Sequence, residues 1–297
     1  MAETENQTFD TWTEQGERLY RAWVRLSSSK VSLLGFGMLL VVILCAVFAP
    51  ELAPYPGDAA GANHFDQAGE PPSTEHYFGT DMNGRDIFSR VLFGARSSLT
   101  MGILVLSIAI PVGTSLGLVA GYVGGKTNAI IMRTVDMFLA VPATLLALAV
   151  TAIIGPTLTN AMLAISIAWW PWFARLVQGE VQSVKEESFV EASESLGASK
   201  FHVMFKEILP NIMAPVTVKA TIDMGFVILI GASLGFLGLG AQPPTPDWGV
   251  MIAQGRANLT TAWWIATFPG LAISFTVLGL NLIGDGLRDV LDVEEQL

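Results

Sequence analysis

Long uncharged runs, separated by stretches that carry the charged residues, set the pattern of this chain. The runs cover 31–50, 97–125, 137–174, 224–246 and 257–284. A helix that crosses a membrane needs about 20 apolar residues, and the third run is long enough for two helices, divided by the turn-forming cluster at 155–160. The pattern predicts an all-α polytopic membrane protein with six transmembrane helices, near 31–50, 98–122, 130–154, 161–178, 213–238 and 264–284.

Composition supports a membrane protein, and the basic residues give an orientation. Only 14% of the residues are charged, against about a quarter in soluble domains. With the six predicted helices, 12 of the 16 Lys and Arg residues fall on the same side of the membrane as the N-terminus. The other four are Arg85, Arg90, Arg96 and Arg256. Since cytoplasmic loops carry the excess of basic residues, both termini are expected in the cytoplasm.

The net charge of −10 comes from acidic residues in the N-terminal tail, the 51–90 loop and the C-terminus. It indicates either an ordinary solvated surface or an adaptation to high salt, as in a halophile. Nucleic-acid binding would require a basic face, so no nucleic-acid partner is expected.

One stretch, AGYVGGKT at 120–127, nearly matches a phosphate-binding loop and lacks only its first glycine. A working loop follows a buried strand, whereas a predicted membrane helix precedes this one. We expect a turn between two helices, with Lys126 as a basic residue on the cytoplasmic side, and no nucleotide bound by this chain.

Two G-x-S-x-G matches, at 113–117 and 231–235, could mark a serine nucleophile. No histidine lies in a predicted span to act as its base. Glycines at every fourth residue, including Gly113, Gly117 and Gly121, instead predict close packing of membrane helices. The sequence also has no metal-ligand spacing, so no metal or catalytic residue is predicted.

The segment 181–211 predicts two short amphipathic helices. Phe189, Ala192 and Leu196 share one face of the first helix, which Gly197 would end. Ser199 would cap the second helix, which aligns Phe201, Met204, Phe205 and Ile208 at helical spacing. Such a face on the cytoplasmic side either binds a partner or folds back on the chain's own spans.

This segment resembles the EAA loop of the membrane subunits of ABC importers. The matching residues are Glu191-Ala192-Ser193, Gly197 and Ile208-Leu209-Pro210-Asn211; Ser193 departs from the usual alanine. In that family the loop docks on the ATPase subunit. The resemblance implies an ATPase-coupling site formed by Glu191, Ala192, Gly197, Phe201, Phe205, Ile208, Leu209 and Pro210.

Three further stretches resemble the C-type subunits of dipeptide/oligopeptide importers. They are 233–249, 281–292 and an outer-loop motif formed by Gly79, Thr80, Asp81, Gly84, Arg85 and Asp86. The outer-loop motif is expected either to anchor the loop at the membrane interface or to contact a substrate-binding protein.

The resemblance implies a type I ABC importer permease fold in the plasma membrane of a prokaryote. It also implies a second homologous permease subunit, an extracytoplasmic substrate-binding protein and two ABC ATPase subunits that bind ATP and Mg. The expected divisions are a cytoplasmic tail (1–30), a first helix with its outer loop (31–96), a type-1 transmembrane domain (97–286) containing the coupling loop (179–211), and a cytoplasmic tail (287–297).

Alternatives stay open at this point. The same machinery imports nickel complexes, glutathione or oligosaccharides in relatives of this subfamily. An ion-coupled secondary transporter would require carboxylates near the midplane and broken helices in inverted repeats. Here Asp136 and Asp223 are spaced to pair with Arg133 and Lys219 on their own helices. An intramembrane hydrolase is disfavoured because the predicted spans contain no histidine.

Overall fold

The structure is a computed structural model that describes residues 29–294, so most of the expected N-terminal tail lies outside the described residues. In this range the chain is helical, and its only β pairing is an isolated bridge between Thr80 and Asp86. A π-helical turn covers Val203–Ile208. The helices are α1 (Lys30–Val47), α2 (Ala49–Leu52), α3 (Pro56–Ala59), α4 (Ile87–Val123), α5 (Gly125–Leu139), α6 (Ala143–Ile154), α7 (Leu158–Val184), α8 (Ser188–Ser195), α9 (Lys200–His202), α10 (Leu209–Phe236), α11 (Trp248–Gly255) and α12 (Trp264–Glu294).

Within residues 29–294, four helical stretches are long and apolar enough to cross a membrane: α1, α4, the continuous stretch Lys200–Phe236, and α12. A fifth crossing is added if α5 and α6 form one broken span. The remaining predicted span, 161–178, lies within α7, whose three tryptophans and Arg175 lower its mean hydropathy. The count of six therefore stays a prediction, while the all-α membrane fold agrees with the sequence.

The predicted span 130–154 is not one straight helix. The chain breaks between Leu139 and Ala143, and α5 and α6 meet at an angle of 84°. Pro142 lies in this break, and a proline removes one backbone donor and restricts the residue before it. The uncharged run concealed this break, because hydropathy alone does not detect a change of helix direction.

The second span begins earlier than predicted. α4 starts at Ile87 rather than near 98, with the Asp86 side chain accepting the backbone N–H of Ser89 at 2.7 Å as its N-cap. The two arginines that led to the expectation of a loop are accommodated in the helix. Arg90 is buried against Asp81, and Arg96 donates to the carbonyl oxygens at the end of α1.

The glycine stripe of α4 forms the close contact with α7 that the sequence predicted. A Cβ at Gly113 would lie 2.5 Å from the Trp170 carbonyl oxygen, and one at Gly117 would lie 2.6 Å from the Ala174 carbonyl oxygen. A Cβ at Gly121 would lie 2.7 Å from Val181 Cβ and 3.0 Å from the Gln178 carbonyl oxygen. The two backbones are therefore in direct contact, as small residues allow in membrane helices.

The near match to a phosphate-binding loop is a helix–helix turn. Residues 120–123 are the last turn of α4, and α5 begins at Gly125. Gly124 and Gly125 have φ values of 67° and 52°, and Lys126 is exposed. A helix rather than a strand precedes the turn, as expected from the sequence.

Candidate functional site

The coupling loop folds as the predicted pair of short helical segments. α8 ends in a Schellman motif, in which Ala198 N donates to Ser193 O at 3.1 Å and Gly197 N to Glu194 O at 2.9 Å. Gly197 has a φ of 85°, which a residue with a Cβ rarely adopts. The Ser199 hydroxyl caps the next segment by accepting His202 N at 3.2 Å.

One side of the coupling loop is fixed to the body of the protein. Val190 on α8, together with Val203 and Ile208 in the π-helical turn, is buried in the core formed by α4, α7 and α10. The expectation that Ile208 shares an exposed face with Phe201 and Phe205 is therefore wrong. A turn closed by i→i+5 hydrogen bonds holds more residues than an α-helical turn, so Ile208 does not return to the same face.

The other side of the coupling loop carries large apolar side chains in solvent. Leu196 is 89% exposed, Phe201 68%, Phe189 40% and Phe205 39%. The Phe201 and Phe205 rings pack on each other with centroids 4.4 Å apart. We call Phe189, Leu196, Phe201 and Phe205 the apolar set; exposed apolar side chains that group on one segment are typical of protein-binding surfaces.

The remaining predicted coupling residues lie around the apolar set. Glu191 and Ala192 are exposed on α8, and Pro210 is exposed in the first turn of α10. Leu209 is half-buried. The structure thus brings most of the predicted residues to one exposed segment and places Ile208 beneath it.

A link from the coupling loop to α4 was not predicted from the sequence. The Tyr122 hydroxyl, at the end of α4, donates to Glu194 Oε1 at 2.8 Å. Lys185 Nζ donates to the Tyr122 carbonyl oxygen at 2.9 Å and lies 5.3 Å from the centre of its ring. The residues are 63 and 72 positions apart, and no local pattern predicts such a contact.

The outer-loop motif is a buried network rather than an exposed surface. Asp81 accepts the backbone N–H groups of Asn83 and Arg85, at 2.8 and 3.0 Å, and pairs with the side chains of Arg85 and Arg90. Thr80 accepts Glu70 N at 2.8 Å. Buried charges require such partners, so the motif holds the loop together, and any direct contact with another protein would involve its exposed neighbours.

Asp86 joins this network to α3 as well as capping α4. Its carboxylate is 3.0 Å from His76 Nδ1, and its backbone N–H donates to Asp58 Oδ2 at 2.7 Å. Gly84 has a φ of 74°, and a Cβ there would overlap the His64 carbonyl. We call residues 53–86, held by these contacts, the outer cap.

The proline-rich segment before α11 is also fixed to α4. The Ser97 hydroxyl donates to Pro246 O at 2.8 Å, and Trp248 Nε1 donates to Val91 O at 3.0 Å. Asp247 caps α11 by accepting Val250 N at 3.0 Å. Burial raises the pKa of Asp247, although backbone hydrogen bonds from Val250 and Gly249 partly oppose the shift.

The acidic residues inside the predicted spans have partners. Lys219 Nζ lies 3.1 Å from Asp223, as the sequence predicted, and Trp169 Nε1 donates to the same carboxylate at 2.8 Å. Asp136 pairs with Arg175 on α7 rather than with Arg133 on its own helix. Both carboxylates are therefore paired, whereas an ion relay would use unpaired carboxylates. Among the described residues there is no cluster of side chains able to hold a metal ion.

Two family profiles match the chain. The family described as "Binding-protein-dependent transport system inner membrane component" matches residues 113–293, which include the coupling loop. The chain belongs to this family. A second profile, "N-terminal TM domain of oligopeptide transport permease C", matches residues 18–72 of this permease.

Relatives cover almost the whole permease. It is 45% identical over 271 residues to the dipeptide transport system permease protein DppC of Alkalihalophilus pseudofirmus, covering 91% of this chain and 88% of the relative. It is 42% identical to the probable D,D-dipeptide transport system permease protein DdpC of Escherichia coli K12, over 90% and 89%. The glutathione transport system permease protein GsiD of Pectobacterium atrosepticum is 43% identical, over 91% and 89%.

The fold is similar to that of a solved importer. The MetNI methionine ABC transporter, in an inward-facing conformation, aligns with a TM-score of 0.57 and 19% identity. The alignment covers 68% of this permease and 96% of the solved chain. At this identity the likeness supports the type I importer fold.

Proposed function

We propose that the permease forms half of the translocation path of an ATP-driven importer and that its coupling loop binds an ATPase subunit. The apolar set carries this proposal. Four large apolar side chains stand in solvent on a segment whose opposite side is buried in the core. Aromatic side chains in such positions often contribute most of the binding energy of an interface.

The buried side of the coupling loop gives the binding event a mechanical consequence. When ATP closes a pair of ATPase subunits, a docked loop would move with them. Val190, Val203 and Ile208 would carry that movement into the core, and the Tyr122–Glu194 contact would carry it into α4. Movement of packed elements as rigid bodies is a common form of such transitions.

The proposed assembly contains a second homologous permease subunit, two ABC ATPase subunits and an extracytoplasmic substrate-binding protein. ATP and Mg belong to the ATPase subunits, so this subunit is not itself an enzyme. The excess of Lys and Arg on one side supports cytoplasmic termini and a coupling loop on the cytoplasmic face of the plasma membrane.

The proposed cargo is a dipeptide or oligopeptide. Relatives named as dipeptide permeases and the match to the oligopeptide permease profile support it. Glutathione is a second candidate, because relatives named as glutathione permeases are equally similar. Uptake of a labelled dipeptide by the reconstituted complex, in competition with glutathione, distinguishes the two. If the complex takes up neither solute, the peptide assignment is contradicted.

Docking is tested with a matched pair of phenylalanines. Phe201 is 68% exposed on the coupling loop and Phe65 is 69% exposed on the outer cap, so alanine removes a similar surface from each. We expect Phe201→Ala to weaken binding of the ATPase subunit about 30-fold, as for an interface residue worth about 2 kcal/mol. Phe65→Ala should leave it unchanged. Equal retention of the ATPase by both variants would contradict docking through the apolar set.

A further inference from the structure

A groove of about 590 Å³ lies between α1, α4 and α12, away from the coupling loop. It follows α12 from Phe268 to Leu278, a length of about 15 Å at about 1.5 Å per residue. Its outer end is closed by Phe78, whose ring stacks on Phe268 at 4.0 Å and meets Phe88 edge-on at 4.9 Å. Cys45, on α1, forms part of the opposite wall.

The polar groups that line the groove are already hydrogen-bonded. Ser274 donates its hydroxyl to Gly270 O at 3.0 Å, Thr276 donates to Ala272 O at 2.8 Å, and Trp248 Nε1 donates to Val91 O. A peptide placed here would lose its hydrogen bonds to water without replacement, which is costly. The walls therefore suit a hydrocarbon and not the cargo proposed above.

A basic side chain lies beside the groove at the level expected for lipid headgroups. Leu92 and Ala95 line the groove, and Arg96 follows directly, one helical turn from Leu92. Arg96 Nη2 donates to Val47 O at 2.8 Å and Nε donates to Ala46 O, which leaves donors of an exposed guanidinium for an anion. The uncharged run of α4 begins after Arg96, so this residue is expected at the membrane boundary.

We propose that the groove is a phospholipid site, in which an acyl chain lies between α1, α4 and α12 and Arg96 binds the phosphate. The proposal rests on an apolar groove about 15 Å long whose polar groups are already hydrogen-bonded, together with the exposed cation Arg96 at its edge. It is independent of the cargo and of ATPase docking.

The test uses the assembled complex, purified in detergent and washed free of loosely held lipid. Native mass spectrometry counts the phospholipids that remain. We expect one per copy of this subunit, and at least a tenfold loss in Ala272→Phe, whose ring would occupy the groove. Ala149→Phe, at an exposed position on α6 outside the groove, is the matched control and should retain the lipid. Arg96→Gln should retain it more weakly.

A second measurement does not depend on the variants. Cys45 is the only cysteine of the chain and lines the groove. In the delipidated complex, added phosphatidylglycerol should slow modification of Cys45 by a small apolar thiol reagent at least fivefold. Any of three results would overturn the proposal. They are a wild-type complex that retains detergent but no phospholipid, an Ala272→Phe variant that retains as much phospholipid as the control, and a modification rate of Cys45 that phosphatidylglycerol leaves unchanged.

Discussion

Replacing Tyr122 by phenylalanine tests how firmly the coupling loop is attached to α4. The substitution removes only the hydroxyl that donates to Glu194. The buried ring stays, and so does the bond from Lys185 to the Tyr122 carbonyl, because that bond involves the backbone. The variant therefore isolates one hydrogen bond between the end of α4 and α8.

The structure sets the size of the expected effect. A hydrogen bond to a charged group contributes about 1.5–3 kcal/mol. Glu194 is exposed, so its carboxylate regains water when the bond is lost, and the net contribution falls to about 1 kcal/mol. The equilibrium for detachment of α8 should then shift about fivefold.

Hydrogen exchange of the backbone amides of α8 measures this detachment directly, because exchange reports the free energy of local opening. We expect about fivefold faster exchange in Tyr122→Phe, together with less cargo moved per ATP hydrolysed. Tyr77→Phe, at an exposed tyrosine of the outer cap, is the control and should leave exchange in α8 unchanged.

A double-mutant cycle decides whether the hydrogen bond is the cause. In a Glu194→Ala background, Tyr122→Phe should have no further effect on exchange in α8. The same fivefold change in that background, or a change below twofold in the single variant, would refute the reasoning.

Three other predictions follow from the fold. Lys126→Ala should leave ATP hydrolysis by the assembled complex within a few-fold of normal, because Lys126 lies in a helix–helix turn; near-total loss would instead indicate a true phosphate-binding lysine. Gly117→Ala should destabilise the subunit by about 1–3 kcal/mol through overpacking. Gly179 has open space around it, so Gly179→Ala should be neutral or stabilising. Equal melting temperatures of the two variants would count against the α4–α7 contact. Asp247→Asn keeps the helix cap but removes a carboxylate whose pKa is raised above 3.8 by burial. The wild type should therefore gain stability relative to the variant as the pH falls from 7 toward 4. A difference in melting temperature that does not vary with pH would contradict this.

The sequence predicted features that depend on short-range spacing. The glycines of α4 indicated close helix packing, Lys219 and Asp223 were recognised as a pair, and Gly197 with Ser199 marked the turn of the coupling loop. In each case the residues that carry the signal lie within a few helical turns of each other, so their spacing determines which side chains share a face.

The errors arose where distant residues change the meaning of a local pattern. From the sequence, Arg90 and Arg96 are expected in a loop, because the sequence cannot show their partners. Those partners, Asp81 and the end of α1, belong to other segments of the chain. Asp136 was assigned to Arg133 because Arg175 is on another helix. Ile208 followed α-helical spacing in the sequence, but the π-helical turn moved its side chain into the core.

Some acidic residues that the sequence places in solvent-facing loops are buried in the structure. Asp58, Asp81 and Asp86 contribute to the net charge of −10, but in the outer cap they are buried and hydrogen-bonded. They therefore add nothing to a hydrated acidic surface. Adaptation to high salt stays a prediction that depends on the exposed carboxylates alone.

The contact between the backbones of α4 and α7 has a geometrical consequence. Because a Cβ at Gly113, Gly117 or Gly121 would clash with α7, the two helices have little room to slide past each other over this stretch. α4 has 37 residues and is about 55 Å long, with the coupling loop attached near Tyr122 and the outer cap built on Asp86 at its other end. If α4 tilts as one unit, a tilt of about 5° moves one end by about 5 Å relative to the other over this length. In the proposed assembly, movement of the coupling loop would then reach the outer cap through a single helix.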